Sequence, residues 1–165
     1  MATINLSHYN KEYLPDAQTM RIGIVVSEWN DHITSNLLKG CLEAFTDCGI
    51  PDKNIFVAHV PGSFELALGA KMLFDTHRIE AVICLGCVIR GETAHFDFVC
   101  NACANGVQQL ALNIGKPVIF GVLTDDTEEQ SIARSGGSKG NKGTEAAVTA
   151  IKMIGLQREL EKNNW

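Results

Sequence analysis

Ala81-Val-Ile-Cys-Leu-Gly-Cys-Val-Ile89 decides the fold of this chain. It is apolar without interruption and short, with β-branched residues recurring through it, and a charged Arg90-Gly91-Glu92 follows at once. A run of this length and composition reads as a strand covered on both faces, which is the usual condition of a strand in a parallel sheet. Cys84 and Cys87 fall inside it. With Cys100 and Cys103 they form a paired CxxC pattern, nominally a zinc signal. In a strand, however, residues three apart point to opposite faces. Cys100 and Cys103 sit instead on a helical pattern, where cysteine serves as a small apolar residue. Buried, reduced thiols are therefore expected, and neither a metal site nor a disulfide framework.

Working outward, the same kind of run recurs. Arg21-Ile-Gly-Ile-Val-Val-Ser27, Asn54 to Val60 and Pro117 to Leu123 read as three further strands. Helical spacing separates them. Ile33, Leu37, Leu38, Cys41 and Phe45 mark one helix, closed by Gly49 and Pro51; Leu66, Ala70, Leu73 and Phe74 mark a second. Phe96, Val99, Cys103, Val107, Leu110 and Ile114 mark a third, closed by Gly115 and Pro117. A short helix near Thr127 to Ser135, a glycine-rich loop and a last helix from about Thr144 to Lys162 complete the pattern. Strand and helix alternate four times, which predicts an α/β, three-layer αβα fold on a four-stranded parallel sheet. Residues 1–20 are polar without a sustained period and read as an N-terminal arm; residues 21–165 read as one α/β domain, of a size able to bury a real core.

Charge and hydropathy narrow the function classes. A net charge of −5 supplies no basic patch for nucleic acid. The longest apolar runs, such as Ala81 to Leu85, fall far short of the roughly 20 residues that cross a bilayer. Acids and Pro15 stand where a secretory apolar segment would lie, so no targeting segment and a cytoplasmic location are expected.

Ligands of open α/β sheets bind outside the carboxyl ends of the strands. Four distinctive segments occupy those ends: Glu28-Trp29-Asn30; Pro61-Gly62-Ser63-Phe64-Glu65; Arg90-Gly91-Glu92-Thr93-Ala94-His95-Phe96-Asp97; and Phe120 with, further on, Arg134 and Gly136-Gly-Ser-Lys-Gly-Asn-Lys142-Gly143. Each has a bland reading. Trp29 can cover core edge, Ser63 and Thr93 can be helix N-caps with Glu65 adding first-turn charge, His95 and Arg134 can be surface residues, and the lysine-bearing loop is no Walker motif. Together they suggest more. Gly91-Glu92-Thr93 at a helix start is an anion site, and Arg134 offers a bidentate fork to a phosphate. His95 can move protons near neutrality, Trp29 gives a flat heterocycle a stacking face, and Ser63 and Glu65 can hydrogen-bond a polyol.

The chain resembles the lumazine synthases. Gly86-Cys-Val-Ile-Arg-Gly-Glu-Thr-Ala-His-Phe-Asp97 is the most specific stretch, and Pro61-Gly-Ser-Phe-Glu65, Phe120-Gly-Val-Leu-Thr124 and Gly140-Asn-Lys-Gly143 follow in order, so that the likeness runs from Arg21 to about Leu160. The resemblance implies a flavodoxin-like fold and a transferase of riboflavin biosynthesis that uses neither metal nor organic cofactor. Its substrates are 5-amino-6-(D-ribitylamino)uracil and 3,4-dihydroxy-2-butanone 4-phosphate. By the same resemblance His95 is the acid/base and Trp29 stacks on the pyrimidine. Ser63, Phe64 and Glu65 hold that substrate, with Glu65 toward the ribityl hydroxyls, and Cys87, Val88 and Ile89 touch the ring edge through backbone. Glu92 and Thr93 meet the phosphate, with Arg134 as its main charge partner and Lys142 beside it; Glu145 orients Arg134. Phe120 and Arg134 come from a neighbouring copy, since the family's site lies between members of a pentamer. Pentamers can further assemble into an icosahedral shell, which the short glycine-rich loop favours; the arm adds to a neighbour's sheet edge, and riboflavin synthase is an implied partner. Two positions depart from the family pattern: Trp29 stands where many relatives carry Phe, and Ser138 where many carry Lys, which either weakens the phosphate loop or passes its role to Lys142. The rival reading is a non-catalytic flavin- or lumazine-binding module on the same fold, or a shell protein with a decayed site; fold alone does not separate these.

Overall fold

The structure is a computed structural model and describes residue 5 and residues 7–163. Residues 1–4 and 6 of the expected arm, and 164–165 of the expected domain, lie outside the described residues. Four strands, β1 (Ile22–Ser27), β2 (Ile55–Val60), β3 (Ala81–Ile89) and β4 (Val118–Asp125), form one parallel sheet in the order β2-β1-β3-β4. Around it lie α1 (Asp31–Asp47), α2 (Leu66–Thr76), α3 (His95–Ile114), α4 (Glu128–Arg134) and α5 (Lys142–Lys162). Among the described residues no helix is long and apolar enough to cross a membrane.

The alternation of strand side chains sorts the apolar residues into two cores. Ile22, Ile24, Val26, Ile83 and Leu85 point toward α1 and α5, where Ile33, Leu37, Cys41 and Phe45 meet Ala146, Ala147, Ala150 and Ile151. The small alanines of α5 let it pack tightly against α1. Val25, Val82, Cys84, Val118 and Val122 point the other way, toward Leu66, Ala70 and Leu73 of α2 and Cys103 and Val107 of α3. Cys84 and Cys87 thus lie in different cores, as the period of a strand requires. Ile83, fully buried at the centre, illustrates the energetics: truncation to alanine would cost about 2–5 kcal/mol through lost transfer energy and the cavity left behind.

Several local expectations need correction. Ala17 and Met20 are buried in the first core, so the end of the presumed arm belongs to the domain; isolated apolar residues in a polar stretch carry no period to betray them. Earlier in the arm, Tyr9 and Lys11 bond to Asp47 at 2.9 and 3.0 Å, on the chain's own α1. β2 is only partly covered on its α1 side: Ile55 packs against the first core, but Val57 and His59 of this edge strand stand exposed. The glycine-rich loop is not wholly irregular, since β5 (Ser135–Gly137) and β6 (Gly140–Asn141) pair antiparallel. That hairpin delivers Asn141 as the N-cap of α5, its side chain accepting from the N–H groups of Gly143 and Thr144.

Candidate active site

The carboxyl ends of β1 and β2 are stitched together by backbone. Glu28 N–H donates to Val60 O at 2.8 Å and Trp29 N–H to Pro61 O at 3.0 Å. Asn30 then turns the chain in the left-handed region (φ 59°), a conformation asparagine tolerates, and its amide donates to Cys87 O at 3.1 Å. This junction fixes three strand ends at once and presents Trp29, which is 65% exposed. A ring this large so far out of the core is an offered surface. Gly62 backs it: a Cβ there would stand 2.6 Å from the indole, so only glycine lets the ring lie down.

After β2 the chain makes a 3-10 turn over Ser63–Glu65 before α2 begins. Ser63 is not the N-cap of a helix, as sequence suggested; Gly62 precedes the turn, and a Glu65 carboxylate oxygen accepts from Gly62 N–H at 3.1 Å. Phe64 projects outward, 61% exposed. Ser63 points inward, 5% exposed, and its hydroxyl has no partner among the described residues; the same holds for Ser27 at 1%. Both face Gly86, whose missing side chain leaves them room: a Cβ there would meet Ser63 Oγ at 2.6 Å and Ser27 Oγ at 3.4 Å. Sequence reasoning did not single out Ser27. Its signal, a hydroxyl closing an apolar run, is also what an ordinary strand end shows.

Beyond β3, residues 91–95 are exposed, and α3 begins at His95 with Ala94 preceding it. The helix therefore starts later than the Thr93 cap predicted from sequence; Thr93 Oγ1 instead accepts from His95 N–H at 3.4 Å. Glu92, Thr93 and His95 form one exposed turn. Arg90, which opens this segment, is committed elsewhere. Its guanidinium bonds Asp126 at 2.8 Å and Asp97 at 3.1 Å and lies 4.1 Å above the Phe96 ring, and these carboxylates hold its pKa above the ordinary arginine value. Val88 and Ile89 are half-buried, and Cys87 is buried against α4, which pushes its thiol upward in pKa. Burial raises Cys84 and Cys103 in the same direction, so these cysteines are poor nucleophiles.

Of the remaining predicted residues, two lie in a groove beside β4 and one closes α4. Phe120 and Lys142 line an apolar groove of about 740 Å³ along the open edge of β4, with Leu112, Val118, Met153 and Leu156. Arg134 closes α4, its guanidinium donating to Gln130 O at 2.9 Å and lying 3.8 Å from Asp125. Glu145 does not orient it: that carboxylate is 2.8 Å from Lys142 in the same groove, and the acid beside Arg134 is Asp125. A lysine three residues before Glu145 on one helix is simply nearer than an arginine on another element. Trp29, Ser63, Phe64, Glu65, Cys87, Val88, Ile89, Glu92, Thr93 and His95 thus gather at the ends of β1, β2 and β3, whereas Phe120 and Lys142 face outward beside β4. The first group offers an aromatic face, a polar turn and an imidazole at a helix start; the second offers an aromatic and a cation on an apolar edge.

The chain is similar to known proteins over most of its length. A sequence model of the family described as 6,7-dimethyl-8-ribityllumazine synthase matches residues 19–158. The 6,7-dimethyl-8-ribityllumazine synthase of Flavobacterium psychrophilum is 54% identical over 158 residues, covering 96% of this chain and 84% of that protein. Those of Cytophaga hutchinsonii and Porphyromonas gingivalis are 53% and 50% identical, covering 91% and 93% of this chain and 94% and 96% of those proteins. On a four-stranded parallel sheet layered between helices, with these segments at its strand ends, the chain belongs to the 6,7-dimethyl-8-ribityllumazine synthase family, transferases of riboflavin biosynthesis.

Proposed function

We propose that the family's condensation takes place here at a composite site, in which the strand-end cluster of one copy meets the β4 edge of a neighbour. The reaction joins 5-amino-6-(D-ribitylamino)uracil to 3,4-dihydroxy-2-butanone 4-phosphate. The 5-amino group attacks the ketone and water leaves to give an imine; phosphate is eliminated; the ribityl-bearing nitrogen closes the ring with loss of a second water, giving 6,7-dimethyl-8-ribityllumazine. The substrate brings its own amine, so no enzyme lysine has to form the imine. The protein supplies orientation, proton transfer and compensation of phosphate charge.

In this reading Trp29 stacks on the pyrimidine, and the Ser63–Glu65 turn with the backbone of Cys87, Val88 and Ile89 holds its edge and ribityl chain. His95 is the acid/base. Glu92 and Thr93 sit beside the phosphate, and Arg134 with Lys142 brings positive charge. Phe120, Arg134 and Lys142 are supplied by the adjoining copy, in a pentamer that assembles into an icosahedral shell. A cytoplasmic location and riboflavin synthase as the enzyme consuming the product belong to the same proposal, as does the absence of a cofactor. The observation that carries the composite site is the placement of Phe120 and Lys142 in an outward-facing apolar groove beside β4, which neither the exposed indole of Trp29 nor His95 lines.

Complementation between inactive variants tests it. Mixing the two substrates, with the sugar phosphate well below its KM, should produce lumazine fluorescence faster with protein than without it, and His95→Ala and Arg134→Ala should each be slow under that condition. Unfolding and reassembling the two variants together should restore activity at roughly a quarter of the interfaces, those that pair one intact half-site from each. Activity that stays at the sum of the two variants would show that each copy works alone. No acceleration by the unmodified protein would favour a binding module.

A further inference from the structure

A continuous line of side chains runs from the third strand to Arg134. Cys87 Sγ donates to Ser131 Oγ at 3.4 Å, and Ser131 Oγ donates to Asp125 Oδ2 at 2.8 Å. Asp125 Oδ1 in turn lies 3.8 Å from Arg134 Nη1. Ser131 is fully buried and Asp125 is 9% exposed, while Arg134 reaches the surface. A hydroxyl in the buried face of a seven-residue helix is costly unless bonded, and this one both accepts and donates.

Asp125 is held at both ends. It is the last residue of β4, in register with Ile89, and its carbonyl accepts from Arg90 N–H at 3.0 Å. Ser131 takes one of its carboxylate oxygens, which leaves the other directed to the guanidinium. One serine does not compensate a carboxylate this deep; the guanidinium supplies the remainder. At 3.8 Å the pair is an ion pair longer than a hydrogen bond, so apart from the bond to Gln130 O the N–H fork stays available. A guanidinium oriented from behind with its donors free is suited to receiving a phosphate.

We propose that Asp125, braced by Ser131, is a positioning residue that sets Arg134 for the phosphate of the four-carbon substrate. The inference rests on the assignment of Arg134 as the phosphate's charge partner. The bracing serine also touches Cys87, so one line of contacts links the strand that meets the pyrimidine of the chain's own site to the arginine that the chain supplies to its neighbour's site.

A double-mutant cycle tests it. Asp125→Asn keeps an oxygen for Ser131 and removes the charge; it should raise KM for the sugar phosphate about tenfold and leave KM for the pyrimidine unchanged. Ser131→Ala should act in the same direction by about threefold. In an Arg134→Ala background Asp125→Asn should have no further effect. A lower sugar-phosphate KM, showing that Asp125 competes with phosphate, overturns the proposal. So does an equal rise in both KM values, or an effect that persists without Arg134. Arg134→Ala with no effect of its own would overturn the underlying assignment as well; Arg134→Ala effective while Asp125→Asn is silent would overturn this inference alone.

Discussion

The indole of Trp29 rests against Gly62 so closely that a single added methyl would stand 2.6 Å from Cε3 and Cζ3. The ring is mostly exposed on its other side, so it can lift away without disturbing the core. Gly62→Ala is therefore expected to displace the stacking face at a cost of about 1–3 kcal/mol, felt as a higher KM for the pyrimidine and not as lost stability. Steady-state kinetics with each substrate varied in turn, alongside thermal melting, checks this. A normal pyrimidine KM would mean that the indole does not stack on the ring.

His95 stands exposed at the first turn of α3, with no side-chain partner among the described hydrogen bonds and ion pairs. If it transfers protons during the condensation, His95→Ala should lower kcat by about a hundredfold while leaving both KM values nearly unchanged. The residual rate would come from orientation of the two substrates. A variant with the original kcat removes the imidazole from the chemistry.

Arg134→Ala should act on binding. Loss of a charge-assisted contact to phosphate is worth about 1.5–3 kcal/mol, roughly tenfold or more in KM for the sugar phosphate alone. The same variant should weaken inhibition by inorganic phosphate. An unchanged inhibition constant and KM together would place the guanidinium outside the site.

The apolar groove along β4 predicts how the protein associates. Leu112, Met153, Leu156 and Leu160 are large, exposed and grouped on one side of the molecule. Leu156→Glu should convert the assembly to smaller species in analytical ultracentrifugation and abolish turnover with it. Full activity in a monomeric Leu156→Glu protein would contradict the composite site.

The buried thiols predict a pH dependence. Burial pushes Cys103 up to about 12, and Cys84 and Cys41 are raised in the same direction. In the unfolded chain a thiol ionises near about 8.5, so above that pH the unfolded state has released protons that the folded state keeps. Stability should be complete below that pH and decline as pH rises beyond it. Thermal melts between about pH 7 and pH 10 check the sign, and Cys103→Ala should flatten the decline. In the native protein Cys41, Cys84 and Cys103 should resist alkylation; rapid labelling of all three would show the cores to be open.

The layered fold was legible because burial writes itself directly into β1 and β3, whose runs are apolar on both faces, and into α1 and α3, whose buried residues recur at helical spacing. Ala17 and Met20 were not legible, since each is a lone apolar residue brought to the core by tertiary placement. At the site, Trp29 and the residue types at the strand ends could be read from position alone, the end of a strand being where a parallel sheet exposes its loops. What could not be read was pairing. Whether Asp125 or Glu145 stands beside Arg134 depends on the direction in which α4 leaves β4, and no local pattern encodes that. Asn30 in the left-handed region and the facing hydroxyls of Ser27 and Ser63 are likewise visible only once three strand ends have been brought together.

The position of Phe120 and Lys142 in an outward-facing groove beside β4 has a kinetic corollary. On the composite-site reading, turnover per milligram is a property of the ring and not of the chain, so it should fall on dilution along the same curve as the population of intact rings. Catalysis would then carry a built-in threshold: newly made copies stay silent until enough have accumulated to close a circle.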